Sequence, residues 1–210
     1  MNTELHTKLI NDGYLSFDLD NETKQKLKPI ADKIKQIEFT NLRHTGCGDS
    51  DSTNDSFENL EKLKEEYAPQ KKWQIWYQDT NFRTKISEDE YEFIRNVFIS
   101  ILEKVYPTHS YDKNFFINCT MYNKLCYINK HQDGAVGDRL TNILIYLNDD
   151  YIDGMGGEII IDTEKVTPDL GKVAILDFSE NNPQHEVTEV LDANFRRIAI
   201  IVELARNTEK

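Results

Sequence analysis

Phe115-Phe116-Ile117-Asn118-Cys119-Thr120-Met121-Tyr122 is the stretch on which the fold turns. Side chains of an extended segment alternate between two faces, so Phe115, Ile117, Cys119 and Met121 share one and Phe116, Asn118, Thr120 and Tyr122 the other. The first face suits burial under helices, and the second is polar enough to look into a cavity. Downstream, four runs rich in Ile, Val and Leu read as further strands: 142–148, 158–162, 172–178 and 195–203. Asp/Gly and Pro/Gly turns separate them.

Upstream the period changes. Ser87-Glu88-Asp89-Glu90 predicts a capped helix start, in which the Ser87 hydroxyl accepts a backbone N–H and Glu90 reaches back. Tyr91, Ile94, Val97, Phe98, Ile101, Leu102 and Val105 then form one stripe that ends at Pro107. A short helix over 3–11, a strand over 13–17 and a helix over 22–37 precede it. The last carries Leu27, Ile30, Ile34 and Ile37 on one face, and Pro29 must sit in an early turn or kink it. Residues 45–56 are Gly, Asp, Ser, Thr and Asn with hardly an apolar side chain, which predicts a mobile surface loop, either a substrate lid or plain disorder. A short helix through Leu60 and Leu63 and a weakly alternating run, Trp73 to Tyr77, follow. Its two tryptophans read as core, with a substrate platform as the alternative.

Helices first and short strands after predict an α+β fold with a sandwich or barrel of antiparallel strands. A single domain over 1–210 is expected, with 1–110 mainly helical support and 111–205 the β core. The net charge of −12 is spread along the chain and disfavours nucleic acid and anionic membrane surfaces as partners; a neutral or basic partner fits better. Three cysteines without metal-type spacing, and no basic-then-apolar leading segment, predict a cytoplasmic protein. No apolar run is long enough to span a bilayer. Oligomeric state leaves no mark in the sequence.

Chemistry concentrates in His131-Gln132-Asp133 and in His185, which follows Asp133 by 52 positions. Two imidazoles and one carboxylate make a three-ligand face that leaves the other positions of an octahedral metal open, the arrangement of non-heme Fe(II) oxygenases. Each piece alone also reads as a polar turn residue, His131 and Asp133 ahead of Gly134 and His185 after Asn181-Asn182-Pro183-Gln184. The acidic stretch Asn148 to Gly154 lacks the spacing and closing Glu of a calcium loop and reads as a solvated turn. Gly156-Gly157 is followed by a strand and makes no phosphate cradle.

The ordered set Tyr122, His131-Gln132-Asp133, Arg139 to Asn148, Gly156-Gly157-Glu158, Pro168-Asp169-Leu170-Gly171, His185-Glu186-Val187 and Arg196-Arg197-Ile198-Ala199-Ile200 resembles the Fe(II)/2-oxoglutarate-dependent dioxygenases, in their prolyl 4-hydroxylase-like branch. The resemblance spans roughly the last 90 residues. It implies a double-stranded β-helix (jelly-roll) core backed by N-terminal helices. It also implies iron at His131, Asp133 and His185, with 2-oxoglutarate and O2 as cosubstrates, and it admits ascorbate. Two positions depart from the family pattern: Leu125 stands where Gly is frequent, and Asn142 replaces a usual Thr.

Arg197 is the expected holder of the far carboxylate of 2-oxoglutarate. Strand parity sends Arg196 and Arg197 to opposite faces, and only the Arg197 face continues with a small residue, Ala199, that leaves room for a ligand. The family pattern of Arg, any residue, small residue, Ile falls on Arg197 as well; a surface arginine on an edge strand is the alternative. A guanidinium buried there needs a carboxylate partner. Tyr122 is placed to donate a second hydrogen bond to it, and Asn118, Thr120 and Asn142 complete the expected pocket.

The activity implied is hydroxylation of an unactivated C–H bond, with succinate and CO2 as co-products. Asp133 favours hydroxylation over halogenation, because related halogenases carry a small residue at that position. The expected substrate is a prolyl residue in a peptide or protein or a free amino acid. A small-molecule metabolite is the second reading, and a non-enzymatic jelly-roll module that senses 2-oxoglutarate the third.

Overall fold

The computed structural model describes residues 3–37, 42–46, 49–53, 74–79, 82–106, 115–133, 139–178 and 181–205. Its elements in chain order are α1 (Thr3–Asp12), β1 (Tyr14–Asp18), α2 (Asn21–Lys35), β2 (Leu42–Gly46), β3 (Asp49–Thr53), β4 (Gln74–Asp79), a 3-10 turn (Phe82–Lys85) and α3 (Glu88–Val105). There follow β5 (Ile117–Tyr122), β6 (Ile128–His131), β7 (Arg139–Tyr146), β8 (Ile159–Ile161), β9 (Glu164–Val166), β10 (Lys172–Asp177), β11 (His185–Val187) and β12 (Arg197–Ala205). They make two antiparallel sheets, ordered β1-β10-β7-β12-β5-β4-β2-β3 and β6-β11-β8-β9. This is the α+β arrangement of antiparallel strands expected from the strand pattern, and the jelly-roll core that the resemblance implies.

Strand parity decides what each face of the large sheet does. On β12, Ile198, Ile200, Val202 and Leu204 are buried in a core shared with the helices. Ile117, Cys119 and Met121 of β5 and Ile143 and Ile145 of β7 join it. The opposite face, carrying Leu144, Tyr146, Ala174, Leu176 and Ala199, packs on Ile159, Ile161 and Val166 of the small sheet. One face therefore anchors the helices, and the other closes the interior between the sheets.

The helices behave as their sequences require. α3 begins at Ser87 with both halves of the capping box formed, and all seven residues of its stripe are buried. Loss of such a cap costs about 1 kcal/mol. α2 continues past Pro29 from its Asp20 cap. The hydrogen bond that Pro29 cannot make is offset by burial of Leu27, Ile30, Ala31 and Ile34.

Three expectations need correction. Residues 42–46 and 49–53 pair as antiparallel strands, Leu42 with Thr53 through Gly46 with Asp49, so the first part of 45–56 is sheet and not a free loop. With β1 and β4 they also show that 1–110 is more than helical support, since all four strands belong to the large sheet. A strand at a sheet edge is held by backbone pairing and needs no apolar side chains; the polar Asp49-Ser50-Asp51-Ser52-Thr53 is the composition that keeps an edge from pairing further. Phe116 lies outside β5 and is 84% exposed, so it does not share the cavity face. The helix expected through Leu60 and Leu63, Trp73 and the glycine turn after Asp133 lie outside the described residues.

Candidate metal centre

β6 and β11 pair antiparallel, with His185 directly opposite His131. Two residues beyond His131 the chain brings Asp133 back toward both rings. His131 Nε2 lies 3.4 Å from Asp133 Oδ1 and His185 Nε2 3.7 Å from Asp133 Oδ2. One ligand atom from each residue falls within 4.8 Å of the others, and two ligands at right angles on one ion, each about 2.1 Å from it, stand about 3 Å apart. A small contraction brings all three onto one metal.

The rings are held in the tautomer a metal needs. Nδ1 of His131 donates to the Asn129 carbonyl at 2.7 Å, and Nδ1 of His185 to the Pro183 carbonyl at 3.2 Å. A carbonyl oxygen can only accept, so each Nδ1 carries a proton, and in the neutral ring Nε2 is the atom with a lone pair for the centre. Burial pushes the His185 pKa down, and the neighbouring His131 adds to that against the pull of Asp133. Burial acts on His131 in the same direction, but the hydrogen bond to Asp133, the Asn129 carbonyl and the Asp133 charge outweigh it and hold that imidazole above the ordinary range.

Asp133 is fixed from two sides. Asn142 Nδ2 donates to its Oδ2 at 3.2 Å, and Asn182 Nδ2 to its backbone carbonyl at 2.5 Å. Gln132 Nε2 in turn donates to the Asn182 carbonyl at 2.6 Å. Asn182 was not singled out in the sequence, and no local signal marks it: its partner is 49 positions away.

The triad opens on a cavity of about 280 Å³ between the two sheets. Its wall includes Asn118, Thr120, Tyr122, Asn142 and Arg197, so every residue singled out for the site faces one space. Arg197 is 1% exposed. Its Nε donates to the Gly157 carbonyl at 3.0 Å, its Nη2 to the Tyr146 hydroxyl at 3.1 Å, and its guanidinium carbon lies 4.4 Å from the centre of the Tyr122 ring. Nη1 is buried without a hydrogen-bond partner, and no carboxylate among the described residues pairs with the charge. That orphaned donor fits an acceptor brought in by a ligand. Arg196 is exposed on the other face, where its Nη1 donates to the Lys35 carbonyl at 3.4 Å.

Tyr122 is in place but engages the guanidinium through its ring. Burial pushes its hydroxyl pKa well up, against the Arg197 charge, so it stays a neutral donor. Thr120 turns its hydroxyl to the Ala199 carbonyl at 3.4 Å. Two residues given no role in the site from sequence, Asn148 and Gly157, seat Arg197. Asn148 is buried; its Nδ2 donates to the Arg196 carbonyl at 2.5 Å and its Oδ1 accepts from Ile198 N at 2.9 Å. That clamps the backbone on either side of Arg197 and corrects the reading of Asn148 as solvated. A Cβ on Gly157, at φ +80°, would stand 3.2 Å from Arg197 Cβ, so the guanidinium stem passes where only glycine leaves room.

The comparisons agree with this geometry. Residues 117–202, less than half of the chain, match the family model described as the 2OG-Fe(II) oxygenase superfamily. A search of curated protein sequences found no match. Among solved structures, a Trichoplax adhaerens prolyl hydroxylase, in complex with a hypoxia-inducible-factor oxygen degradation domain peptide fragment, is 14% identical with a TM-score of 0.68; the match covers 99% of this chain and 90% of that one. A prolyl 4-hydroxylase from Phytophthora capsici is 17% identical at a TM-score of 0.58, and the match covers 98% of this chain but only 63% of that one. A Pseudomonas putida prolyl-4-hydroxylase is 11% identical at 0.55, covering 99% and 100%. At these identities the likeness is one of fold. Among the described residues, His131, Asp133 and His185 form a group able to hold a metal ion. No helix among the described residues is long and apolar enough to cross a membrane.

Proposed function

We propose that the protein is an Fe(II)- and 2-oxoglutarate-dependent dioxygenase that hydroxylates an unactivated C–H bond of an amino-acid substrate, either a residue in a peptide or a free amino acid. One observation carries the reading: the three-ligand face and the buried, unsatisfied Nη1 of Arg197 open into the same cavity. His131, Asp133 and His185 would hold the iron, and Arg197, with the Tyr122 hydroxyl, the far carboxylate of 2-oxoglutarate.

The bound iron supplies the oxidising chemistry by which 2-oxoglutarate and O2 become succinate and CO2 while the substrate C–H becomes C–OH. The chain's own residues fix where that happens. The Asn129 and Pro183 carbonyls hold Nδ1 of each ring and leave Nε2 as the atom that can meet the iron. Asn142 and Asn182 hold Asp133 in place, so the centre needs little reorganisation. Gly157 and Tyr146 orient the Arg197 fork, whose remaining donor can meet a carboxylate without losing a partner. Leu144, Ile159, Leu176 and Val187 give the same cavity an apolar part to its wall.

His131→Ala or Asp133→Ala is expected to abolish 2-oxoglutarate decarboxylation, read as succinate formed, while the circular dichroism spectrum stays that of the parent. Unchanged decarboxylation in both variants would overturn the metal assignment. Turnover on peptides set against free amino acids divides the substrate class.

A further inference from the structure

We propose that Asn142 selects the substrate beside the metal centre, its Oδ1 accepting a hydrogen bond from an N–H close to the C–H bond that is oxidised. This rests on the dioxygenase reading above and narrows its substrate class to compounds that carry such a donor.

Asn142 lies on β7 and lines the cavity. Its amide orientation is set by chemistry. An ionised Asp133 carboxylate only accepts, so the Asn142 atom 3.2 Å from its Oδ2 must be Nδ2. The other atom, Oδ1, is then an acceptor, and it is buried with no hydrogen-bond partner. Leu176 stands opposite Asn142 in the β10–β7 register, and Leu144 follows two positions along β7 on the same face; both line the cavity. An acceptor left unpaired in such a place costs the desolvation of that group, so a ligand that brings a donor is selected over one that does not.

Two buried atoms from residues of the cavity wall lack a hydrogen-bond partner, Arg197 Nη1 and Asn142 Oδ1, and they ask for opposite things. The first is a donor and fits a carboxylate. The second is an acceptor, which the cosubstrates cannot satisfy: 2-oxoglutarate at neutral pH has two carboxylates and a ketone, all acceptors, and O2 carries no hydrogen. The donor is left for the substrate to bring. Because Asn142 also touches Asp133, an N–H held at Oδ1 stands beside the three-ligand face and fixes the adjoining C–H there. An ammonium and a secondary amide both carry such an N–H. A prolyl residue inside a peptide has none on its own nitrogen, which sets the expected substrate apart from it.

The test uses anaerobic full-length protein loaded with Fe(II) and 2-oxoglutarate, whose visible charge-transfer band reports a group arriving beside the metal. The probes are the standard amino acids in two forms: free, with an ammonium, and as N-acetyl dimethylamides, with an amide N–H in all but proline. The probe that perturbs the band at the lowest concentration is then compared with the same compound after every N–H has been methylated. Methylation is expected to raise the concentration needed ~10-fold or more, as loss of a buried hydrogen bond implies. In Asn142→Leu, a side chain of similar size, that penalty should vanish. Steric exclusion of the added methyl would persist there, and loss of the Asp133 contact affects both probes alike. A penalty unchanged in Asn142→Leu, or N-acetyl-L-proline dimethylamide as the best probe, overturns the proposal. A parent protein that tolerates methylation overturns it whether or not the variant forms a band, since water alone then meets Oδ1. A band that responds to no probe overturns it as well. If no band forms in the parent, the dioxygenase reading fails and the proposal with it.

Discussion

Arg197 shows how one side chain is shaped by residues that no local motif connects. Its Nε is held by Gly157 on the approach to β8, its Nη2 by Tyr146 at the end of β7, and its flat face by the Tyr122 ring at the end of β5. The one unsatisfied nitrogen is what remains for a ligand. Arg197→Ala is therefore expected to raise the 2-oxoglutarate requirement by about two orders of magnitude or more, a buried charge pair being worth ~3–5 kcal/mol. Arg196→Ala should change it little; the reverse order in steady-state kinetics would show that the wrong face had been chosen. Gly157→Ala combines a positive φ with a Cβ 3.2 Å from both Arg197 and Val190. It should lower stability by ~1–2 kcal/mol in chemical denaturation and weaken 2-oxoglutarate binding, because Arg197 must shift to make room. Leu125 belongs at this scale as well: its φ of 69° is the left-handed conformation that favours glycine.

Among the elements, α2 is tied to the chain after β7 by charge. Lys28 and Lys35 both contact the Asp149 carboxylate, Lys35 at 2.5 Å, and Lys35 reaches Asp150 at 3.0 Å. The acidic turn expected to be merely solvated is thus ion-paired to a helix. Hydrogen bonds from Lys28 and then Lys35 hold the Asp149 pKa down to about 2, against a partial opposing effect of burial. A depressed carboxylate pKa contributes stability that is fully present above the unfolded value near 3.8 and is lost as pH falls through about 2. Asp149→Asn should cost ~0.5–1 kcal/mol in urea unfolding at neutral pH, as partly exposed pairs do. The gap from the parent should close as pH is lowered from 4 towards 2. A cost that stayed constant across that window would mean packing, and not charge, holds the turn.

Across the whole molecule, the parts that could be read from sequence are those whose signal is local. The seven-residue stripe of α3 and the alternation of β5 announced both the element and the face it buries. Motif order and strand parity mark His131, Asp133, His185 and Arg197 in the sequence, and all four line one cavity. The hairpin of β2 and β3 was not legible, because its polar residues carry no period and its strands exist through pairing with β4. β6 and β11, at four and three residues, are too short to alternate visibly, yet their pairing is what sets His131 against His185. Asn148, Tyr146 and Asn182 were missed for the same reason, since each acts on a partner about 50 positions away.

The central claim is that these pieces make one Fe(II) and 2-oxoglutarate site. Its most direct test is an anaerobic titration of metal-free protein with Fe(II) and then 2-oxoglutarate, followed by visible absorption. The account predicts a charge-transfer band that requires both additions, is lost or shifted in Asp133→Ala, and needs far more 2-oxoglutarate in Arg197→Ala. Absence of the band in the parent protein, or a band indifferent to both substitutions, would contradict it.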